Sequence, residues 1–351
     1  MSRRSSFLSG VVEGYYGQAW DHATRLQIVS MIGGLGLSTF LYCPKSDHYL
    51  RRSWQSDWPE REWRRLRELA AHASESGVLF GVGLSPYALY DNYGNREREA
   101  LRNKVERLNA LGAPLLALLF DDMPGEIEDL ASRQSEIVAD LLCWTESERV
   151  LVCPTYYSDD PVLEKHFGKR PSGYWEQLGV QLPPDVDLFW TGPQVCSETI
   201  KAQDLEPVVQ QLRRPLVLWD NYPVNDGAVR SKHLYLDPLS GRDPGIREHL
   251  SGHLCNPMNQ AWLSLPALCG LATLYGHKPE EGWLAQVLGE HTLALIQRDA
   301  QRFLEQGLDA LDAGDRAQLV SEYAAAGTPA AAEVVGWLSG EYTFDPACLT
   351  D

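Results

Sequence analysis

The feature of this sequence that most constrains its fold is an alternation of short apolar runs with segments of helical periodicity, repeated eight times up to residue 275. The apolar runs have the length of buried strands, and they are Leu8–Val12, Ser38–Tyr42, Val78–Leu84, Leu115–Phe120, Val150–Cys153, Val186–Trp190, Leu216–Trp219 and Gly252–Cys255. Helices are predicted near 21–33, 60–76, 95–111, 131–146, 172–179, 204–213, 243–250 and 260–275. Eight such pairs match a closed (β/α)8 barrel, which usually has about 250 residues. An open, doubly wound α/β sheet would show the same alternation.

Polar or special residues that follow each predicted strand favour the closed barrel over the open sheet. They lie 30 to 40 residues apart, and they are Gly14, Lys45, Ser85, Asp121 with Asp122, Tyr157, Thr191, Asn221 and Asn256. In a barrel these positions share one rim, where the catalytic residues of such folds lie. In an open sheet only those beside the switch point would meet. We therefore predict an α/β fold of the TIM-barrel type over residues 1–277.

The sequence changes in character after residue 278. Pro279–Leu311 has the periodicity of one long amphipathic helix, and Asp315–Ala326 and Pro329–Leu338 have that of two shorter ones. From this periodicity we predict a small all-helical C-terminal domain over residues 278–351. No chemically distinctive cluster occurs there.

Composition and charge exclude several classes of partner. Asp and Glu number 48 against 31 Lys and Arg, which gives a formal net charge of −17. Such a field repels nucleic acid and anionic membranes, and no run approaches the ~18 apolar residues of a spanning helix. No apolar run follows Arg3 and Arg4, and the seven cysteines are scattered. We therefore expect a cytoplasmic protein with reduced thiols; the sequence leaves its oligomeric state open.

Two adjacent carboxylates, Asp121 and Asp122, follow the buried run Leu115–Phe120. Neighbouring carboxylates oppose each other's ionisation, so one of them can keep the proton that a general acid needs. The alternative is that they only supply charge to the start of the next helix. Lys45 ends another predicted strand, where it could form a Schiff base, donate hydrogen bonds to a hydroxylated ligand, or be an ordinary surface lysine. No cluster of residues has the spacing of metal ligands, so no metal site is predicted.

Aromatic and amide side chains occur together at two later strand ends. Trp219 and Asn221 end one strand and lead to Asp226, while Phe189-Trp190-Thr191 closes the strand before it. Aromatic rings stack on the apolar face of a sugar, and Asn and Asp side chains bind its hydroxyl groups. This combination indicates a carbohydrate ligand.

Taken in order along the chain, these stretches resemble glycoside hydrolase family 84, which contains O-GlcNAcases and bacterial β-N-acetylglucosaminidases. The matching stretches are Glu13-Gly-Tyr-Tyr-Gly17 with Trp20, Tyr42-Cys-Pro-Lys45, Leu118-Leu-Phe-Asp-Asp122, Cys153-Pro-Thr-Tyr-Tyr157, Trp190-Thr-Gly-Pro193, Trp219-Asp-Asn221 with Asn225-Asp226, and Asn256-Pro257. They span nearly all of the predicted barrel.

The resemblance implies a retaining exo-β-N-acetylglucosaminidase in which the substrate's own 2-acetamido group is the nucleophile and an oxazoline is the intermediate. It implies that Asp121 orients the acetamido group and that Asp122 is the general acid and base. It also implies a set of sugar-binding residues, namely Gly14, Lys45, Tyr157, Trp219, Asn221, Asp226 and Asn256. The expected partner is a glycoconjugate or glycoprotein that carries GlcNAc, and neither a metal nor an organic cofactor is expected.

The sequence departs from the family pattern at two places. Ser46 stands where many members have a second Asp after the lysine, and Tyr156 stands where Glu often precedes the tyrosine. Two other functions remain open: a Schiff-base lyase that uses Lys45, and a non-catalytic GlcNAc-binding protein on the same fold.

Overall fold

The computed structural model describes residues 6–350, whose central feature is a closed barrel of eight parallel strands. Each strand pairs with its neighbours in chain order, and the last pairs with the first. The strands are β1 (Leu8–Glu13), β2 (Thr39–Tyr42), β3 (Leu79–Leu84), β4 (Leu115–Leu119), β5 (Arg149–Cys153), β6 (Asp187–Trp190), β7 (Leu216–Asp220) and β8 (Leu250–Cys255). The predicted (β/α)8 barrel is therefore confirmed.

Helices surround the barrel between and after the strands. They are α1 (His22–Gly34), α2 (Glu60–Glu75), α3 (Asn95–Asn109), α4 (Leu130–Trp144), α5 (Pro161–Phe167), α6 (Tyr174–Gln181), α7 (Ala202–Leu212) and α8 (Leu265–Leu274). The helix predicted near 243–250 is a 3-10 helix at Pro244–His249, and α5 was not predicted. At seven residues, α5 is shorter than the window of about 11 residues over which helical periodicity is recognised.

The side chains of the strands are buried both inside the barrel and beneath the surrounding helices. All five residues of β4 are buried, as expected of a parallel strand covered by helices outside and by packed side chains inside. The helices present one apolar face to this layer; α2, for example, buries Trp63, Leu66 and Ala73. Gly10 allows β1 to approach β2, because a Cβ atom there would lie 1.9 Å from the Thr39 carbonyl oxygen.

Four further helices follow the barrel: α9 (Trp283–Leu288), α10 (Glu290–Glu305), α11 (Ala313–Ala326) and α12 (Pro329–Leu338). The prediction of one helix over Pro279–Leu311 is wrong. Gly289 has φ +87°, a value that a right-handed helix cannot contain, and it separates α9 from α10.

The last helix packs on loops that follow β7 and β8. The Glu333 carboxylate accepts hydrogen bonds from the backbone N–H groups of Trp262 (3.2 Å) and Leu263 (3.0 Å). The Trp337 indole donates to the Ser231 carbonyl at 3.1 Å. These contacts fix α12 beside the carboxyl ends of the strands, and the division of the chain at residue 277 stays a prediction.

Two sequence predictions concern the whole chain. Between residues 6 and 350 no helix is long and apolar enough to cross a membrane, and no disulfide joins the cysteines of this range. Arg3 and Arg4 lie outside the described residues.

Candidate active site

The two adjacent carboxylates lie at the carboxyl end of β4, inside the barrel mouth. The Phe120 N–H donates to the Cys153 carbonyl at 2.9 Å, so pairing with β5 continues up to the residue before them. Asp122 then has φ +56°, a left-handed conformation that is uncommon for residues other than glycine. This turn directs both carboxylates into one cavity. A strained backbone at such a position is typical of functional sites.

Asp121 is held by one ion pair on one of its oxygens. Its Oδ2 accepts a hydrogen bond from the Lys45 ammonium, and both side chains are buried. Its Oδ1 is also buried, and it has no hydrogen-bond partner among residues 6–350. Because a buried carboxylate oxygen without a donor is costly, this atom is suited to accept a hydrogen bond from a ligand.

Asp122 is bound by two tyrosine hydroxyls from opposite sides of the barrel. Tyr16, after β1, donates to Oδ2 at 2.7 Å, and Tyr157, after β5, donates to Oδ1 at 2.9 Å. Burial, and then the charge of Asp122, raise the pKa of both hydroxyls well above its ordinary value. Both tyrosines therefore remain hydrogen-bond donors at neutral pH.

Arg51 supports the backbone at Asp122. This buried guanidinium donates to the Asp122 carbonyl at 3.2 Å and to the Ser85 hydroxyl at 2.6 Å. It also lies 5.9 Å from the centre of the Tyr16 ring. Arg51 thus contacts both the left-handed residue and one of the tyrosines that bind its carboxylate.

The opposite side of the cavity consists of one indole and two amides. The Trp219 indole N–H and the Asn256 side chain both donate to Asn221 Oδ1, at 3.0 and 2.9 Å. Asn256 Oδ1 in turn accepts from the Gly14 N–H at 3.2 Å. Glycine is required at position 14, because a Cβ atom would lie 2.2 Å from the Trp219 ring.

Asp226 is a third carboxylate in the cavity. Its Oδ2 accepts from the Tyr16 backbone N–H at 2.6 Å. Burial raises the pKa of Asp226 to about 6, and the negative charge of Asp122 adds to this effect, while the Tyr16 N–H opposes it. The group therefore ionises close to neutral pH.

A buried ion pair lies beneath this side of the site, at the end of β7. Asp220 accepts two hydrogen bonds from Arg242, at 2.7 and 2.5 Å, and one at 2.9 Å from His253, whose other ring nitrogen contacts the Tyr275 hydroxyl. Burial alone would raise the pKa of Asp220, but Arg242 and His253 outweigh it and lower this pKa to about 2. The pair fixes the strand end from which Trp219 and Asn221 extend.

The residues predicted for the site all lie at this one cavity, which has a volume of about 500 Å³ including its open mouth. They are Gly14, Lys45, Asp121, Asp122, Tyr157, Trp219, Asn221, Asp226 and Asn256. The individual roles of these residues stay predictions.

Sequence reasoning missed several residues at or beside the cavity, among them four that contact residues of the predicted site. Tyr16 was only part of a matching stretch, and Arg51, Cys348 and Thr350 were not considered. The tyrosine could have been found, because it follows β1 by three residues, as Lys45 follows β2. Nothing in the sequence pattern marks the other three.

Two further expectations concern the site. Tyr156, one of the departures from the family pattern, does not face the cavity, since its hydroxyl donates to the Gly168 carbonyl at 2.6 Å. Across residues 6–350, no three His, Cys, Asp or Glu side chains are grouped as a metal site would require.

Comparison with known proteins identifies the relatives of this chain. The sequence model of a family described as beta-N-acetylglucosaminidase matches residues 9–298. The protein O-GlcNAcases of Rattus norvegicus and Mus musculus are each 31% identical to this chain, over 282 and 279 residues. Each match covers 77% of this chain but 30% of the relative, so the chain spans less than a third of their length. Among solved structures, a mutant O-GlcNAc hydrolase of Thermobaculum terrenum superposes with a TM-score of 0.75 at 28% identity, over 95% of this chain and 81% of that one.

Proposed function

This chain belongs to glycoside hydrolase family 84, the β-N-acetylglucosaminidase family, and we propose that it hydrolyses terminal β-linked N-acetylglucosamine with retention of configuration. In this proposal the substrate's 2-acetamido group is the nucleophile and an oxazoline is the intermediate. The observation that carries the proposal is that Asp121 lines the cavity while its buried Oδ1 atom has no hydrogen-bond donor among the described residues.

Asp121 is suited to orient the acetamido group. Its Oδ2 is occupied by Lys45, so Oδ1 is the oxygen left to accept the amide N–H of the substrate. The carboxylate charge then stabilises the positive charge that develops on the amide nitrogen as the carbonyl oxygen attacks the anomeric carbon. Such preorganised charge is a large source of rate enhancement in a site that excludes water.

Asp122 is proposed to transfer the proton in both steps. In the first step the amide oxygen bonds to the anomeric carbon, the glycosidic C–O bond breaks, and the Asp122 proton passes to the departing oxygen. In the second step Asp122 takes a proton from water, whose oxygen opens the oxazoline at the anomeric carbon. Two displacements at the same carbon retain the β configuration. This scheme differs from the usual one, in which an enzyme carboxylate is the nucleophile.

The remaining residues are proposed to bind the sugar. Trp219 contacts the acetamido methyl group, and Asn221 lies at the glycosidic linkage. Tyr157, which donates to Asp122 here, turns to the acetamido group when substrate is bound. The pyranose hydroxyls are bound by the Gly14 backbone and by three side chains, Lys45, Asp226 and Asn256.

Three broader expectations rest on the sequence. We propose that the substrate is a GlcNAc-bearing glycoconjugate or glycoprotein, that the enzyme acts in the cytoplasm, and that residues 278–351 form a separate helical domain.

Hydrolysis of aryl β-glycosides of GlcNAc, GalNAc and glucose tests the proposal. Turnover is expected for GlcNAc and not for glucose, because glucose lacks the acetamido nucleophile. Replacing the acetyl group by trifluoroacetyl should reduce kcat/KM steeply, since fluorine weakens the amide oxygen as a nucleophile. A rate that is insensitive to fluorine would instead indicate a side-chain nucleophile.

Sugar binding and borohydride trapping, measured beside turnover, separate the two alternative functions. A non-catalytic GlcNAc-binding protein would bind the sugar without turnover. A Schiff-base lyase would become labelled at Lys45 by borohydride in the presence of substrate. The second outcome requires a carbonyl substrate to displace Asp121 from the lysine ammonium, since the two are in contact.

A further inference from the structure

The segment that follows α12 returns to the barrel mouth. We call residues 341–350 the strap. The Glu341 N–H donates to the Gly336 carbonyl at 2.9 Å, which turns the chain back at the end of the helix. The Thr343 carbonyl oxygen lies 3.3 Å from the position of a Cβ atom on Gly17, in the loop after β1. The strap therefore begins its path directly beside the residues that line the site.

The end of the strap enters the cavity. Cys348 and Thr350 are both part of its lining. The Cys348 thiol contacts Asp226 Oδ1 at 3.8 Å, and the Thr350 side chain hydrogen-bonds with Tyr157. Asp226 and Tyr157 are two of the residues that we assign to sugar binding, and they reach the cavity from different strands.

The internal structure of the strap presents these side chains to the cavity. Asp345 closes a turn by accepting from the Ala347 N–H through its side chain and from the Cys348 N–H through its carbonyl, both at 2.9 Å. The turn points Cys348 inward, while Phe344 and Leu349 are 43% and 47% exposed. Tyr342, at the start of the strap, packs against the hydrophobic core, whereas Phe344 and Leu349 keep nearly half of their surface in solvent, so only modest hydrophobic burial holds the end of the strap in place. Segments held by a few polar contacts open at low cost.

We propose that the strap is an intrachain ligand of the active site, which binds where the sugar binds and must leave before a glycoside can enter. The thiol of Cys348 takes the place of a pyranose hydroxyl at Asp226, and the hydroxyl of Thr350 takes the place of an acetamido contact at Tyr157. This inference rests on the proposed function, because it assumes that Asp226 and Tyr157 bind the sugar.

A strap of this kind lowers the apparent affinity for the sugar. If the open form is a fraction of all molecules, the observed Kd is the intrinsic Kd divided by that fraction. Variants that weaken the strap should therefore lower the Kd of the sugar, and the KM of a glycoside with it, while leaving kcat nearly unchanged.

Cysteine alkylation of the full chain tests displacement without any turnover. The protein is treated with iodoacetamide with and without saturating N-acetylglucosamine, and labelling at each cysteine is quantified by mass spectrometry. Cys348 should react faster with the sugar present, because the strap is released. Cys196, which lines the same cavity, should react more slowly, because the sugar covers it. Cys143, exposed on α4, should not change.

A matched pair of double variants tests the energetic consequence. Cys348→Ala/Thr350→Ala removes the two contacts with the cavity, and N-acetylglucosamine should bind about tenfold more tightly by calorimetry, since each contact contributes modestly. Phe344→Tyr/Leu349→Met conserves the size of two strap residues that do not line the cavity, and its affinity should equal that of the unaltered protein.

The outcomes distinguish the strap from the proposed function. Protection of Cys196 together with protection of Cys348 means that the strap covers the bound sugar, which overturns the inference but not the function. Equal sugar affinity in both double variants and in the unaltered protein would likewise overturn the inference about the strap and leave the proposed function standing. If no form of the protein binds N-acetylglucosamine or turns over its aryl β-glycoside, both proposals are wrong.

Discussion

Replacing Asp220 by Asn should destabilise the fold more than its small change in shape suggests. The Asp220 carboxylate is buried, and it is bonded twice by Arg242 and once by His253. In the variant Arg242 would stay buried without its counter-charge. Its hydrogen bonds to the carbonyls of Ser197, Glu198 and Ser240 would remain.

The size of the effect follows from two independent arguments. Removing one partner of a buried ion pair costs about 3–5 kcal/mol. Because Arg242 retains its hydrogen bonds to carbonyl groups, we expect Asp220→Asn to lose about 3 kcal/mol of unfolding free energy. Lowering the pKa of Asp220 from 3.8 to about 2 corresponds to about 2 kcal/mol of charge-dependent stability. Either value is a large part of the roughly 5–15 kcal/mol that stabilises a typical protein.

The pH dependence isolates the charge. Because the pKa of Asp220 is lower in the folded state than in the unfolded state, its ionised form stabilises the fold above about pH 4. This contribution is lost as the pH falls from about 4 to about 2. The difference in unfolding free energy between the unaltered protein and Asp220→Asn should therefore shrink over this interval.

Urea unfolding at several pH values measures both quantities. Asp309→Asn is the control, since Asp309 pairs with Lys232 at the exposed surface, where such pairs contribute little. Its midpoint should equal that of the unaltered protein. An Asp220→Asn midpoint that is also unchanged, or a difference that does not depend on pH, would refute the assignment of Asp220 as a stabilising buried charge.

The remaining predictions concern catalysis. Asp122→Asn should lower kcat about 10²–10⁴-fold on glycosides with poor leaving groups and much less on glycosides of acidic phenols. Asp121→Asn should lower kcat to the same extent on both kinds of glycoside. If Asp122→Asn also lowered kcat equally on both kinds, its role as the general acid would be contradicted. Burial raises the pKa of Asp226 to about 6, so its carboxylate is lost as the pH falls through 6 and KM should rise there. Asp226→Asn should remove this dependence in a KM–pH profile, and an unchanged profile would exclude the role. Arg51→Met should lower kcat about tenfold with KM nearly constant, because the Asp122 carbonyl loses its hydrogen-bond donor. Arg51→Lys should restore part of the lost activity. Full activity of Arg51→Met would show that the hydrogen bond from Arg51 to the Asp122 carbonyl is dispensable.

The barrel could be predicted because its strands are buried on both faces. A parallel strand covered on both sides is a continuous apolar run, and each predicted run overlaps one observed strand, as Leu115–Phe120 overlaps β4. Prediction was wrong where a local conformation decided the structure. Gly289 separates α9 from α10, although the amphipathic period continues across it. Such a break depends on a backbone angle that hydrophobic periodicity does not encode.

The membership of the site could be predicted from the same rule, but its hydrogen bonds could not. Residues just after the strands meet at one rim once the barrel is assumed, which brings Gly14, Lys45, Asp121 and Asn256 to one cavity. The bond between Tyr16 and Asp122 joins residues that are 106 positions apart. It depends on the left-handed turn at Asp122, which no spacing reveals.

The strap could not be predicted from the periodicity of apolar residues. Sequence patterns report burial, because apolar residues repeat where an element packs on a core. The strap leaves Phe344 and Leu349 exposed and contacts the cavity through a thiol and a hydroxyl, so it has no apolar period to detect. A segment that must detach needs this weak attachment to the cavity, since large aromatic side chains buried in the cavity itself would compete too strongly with a sugar. The feature that hides the strap in the sequence is therefore also the one that allows it to be displaced.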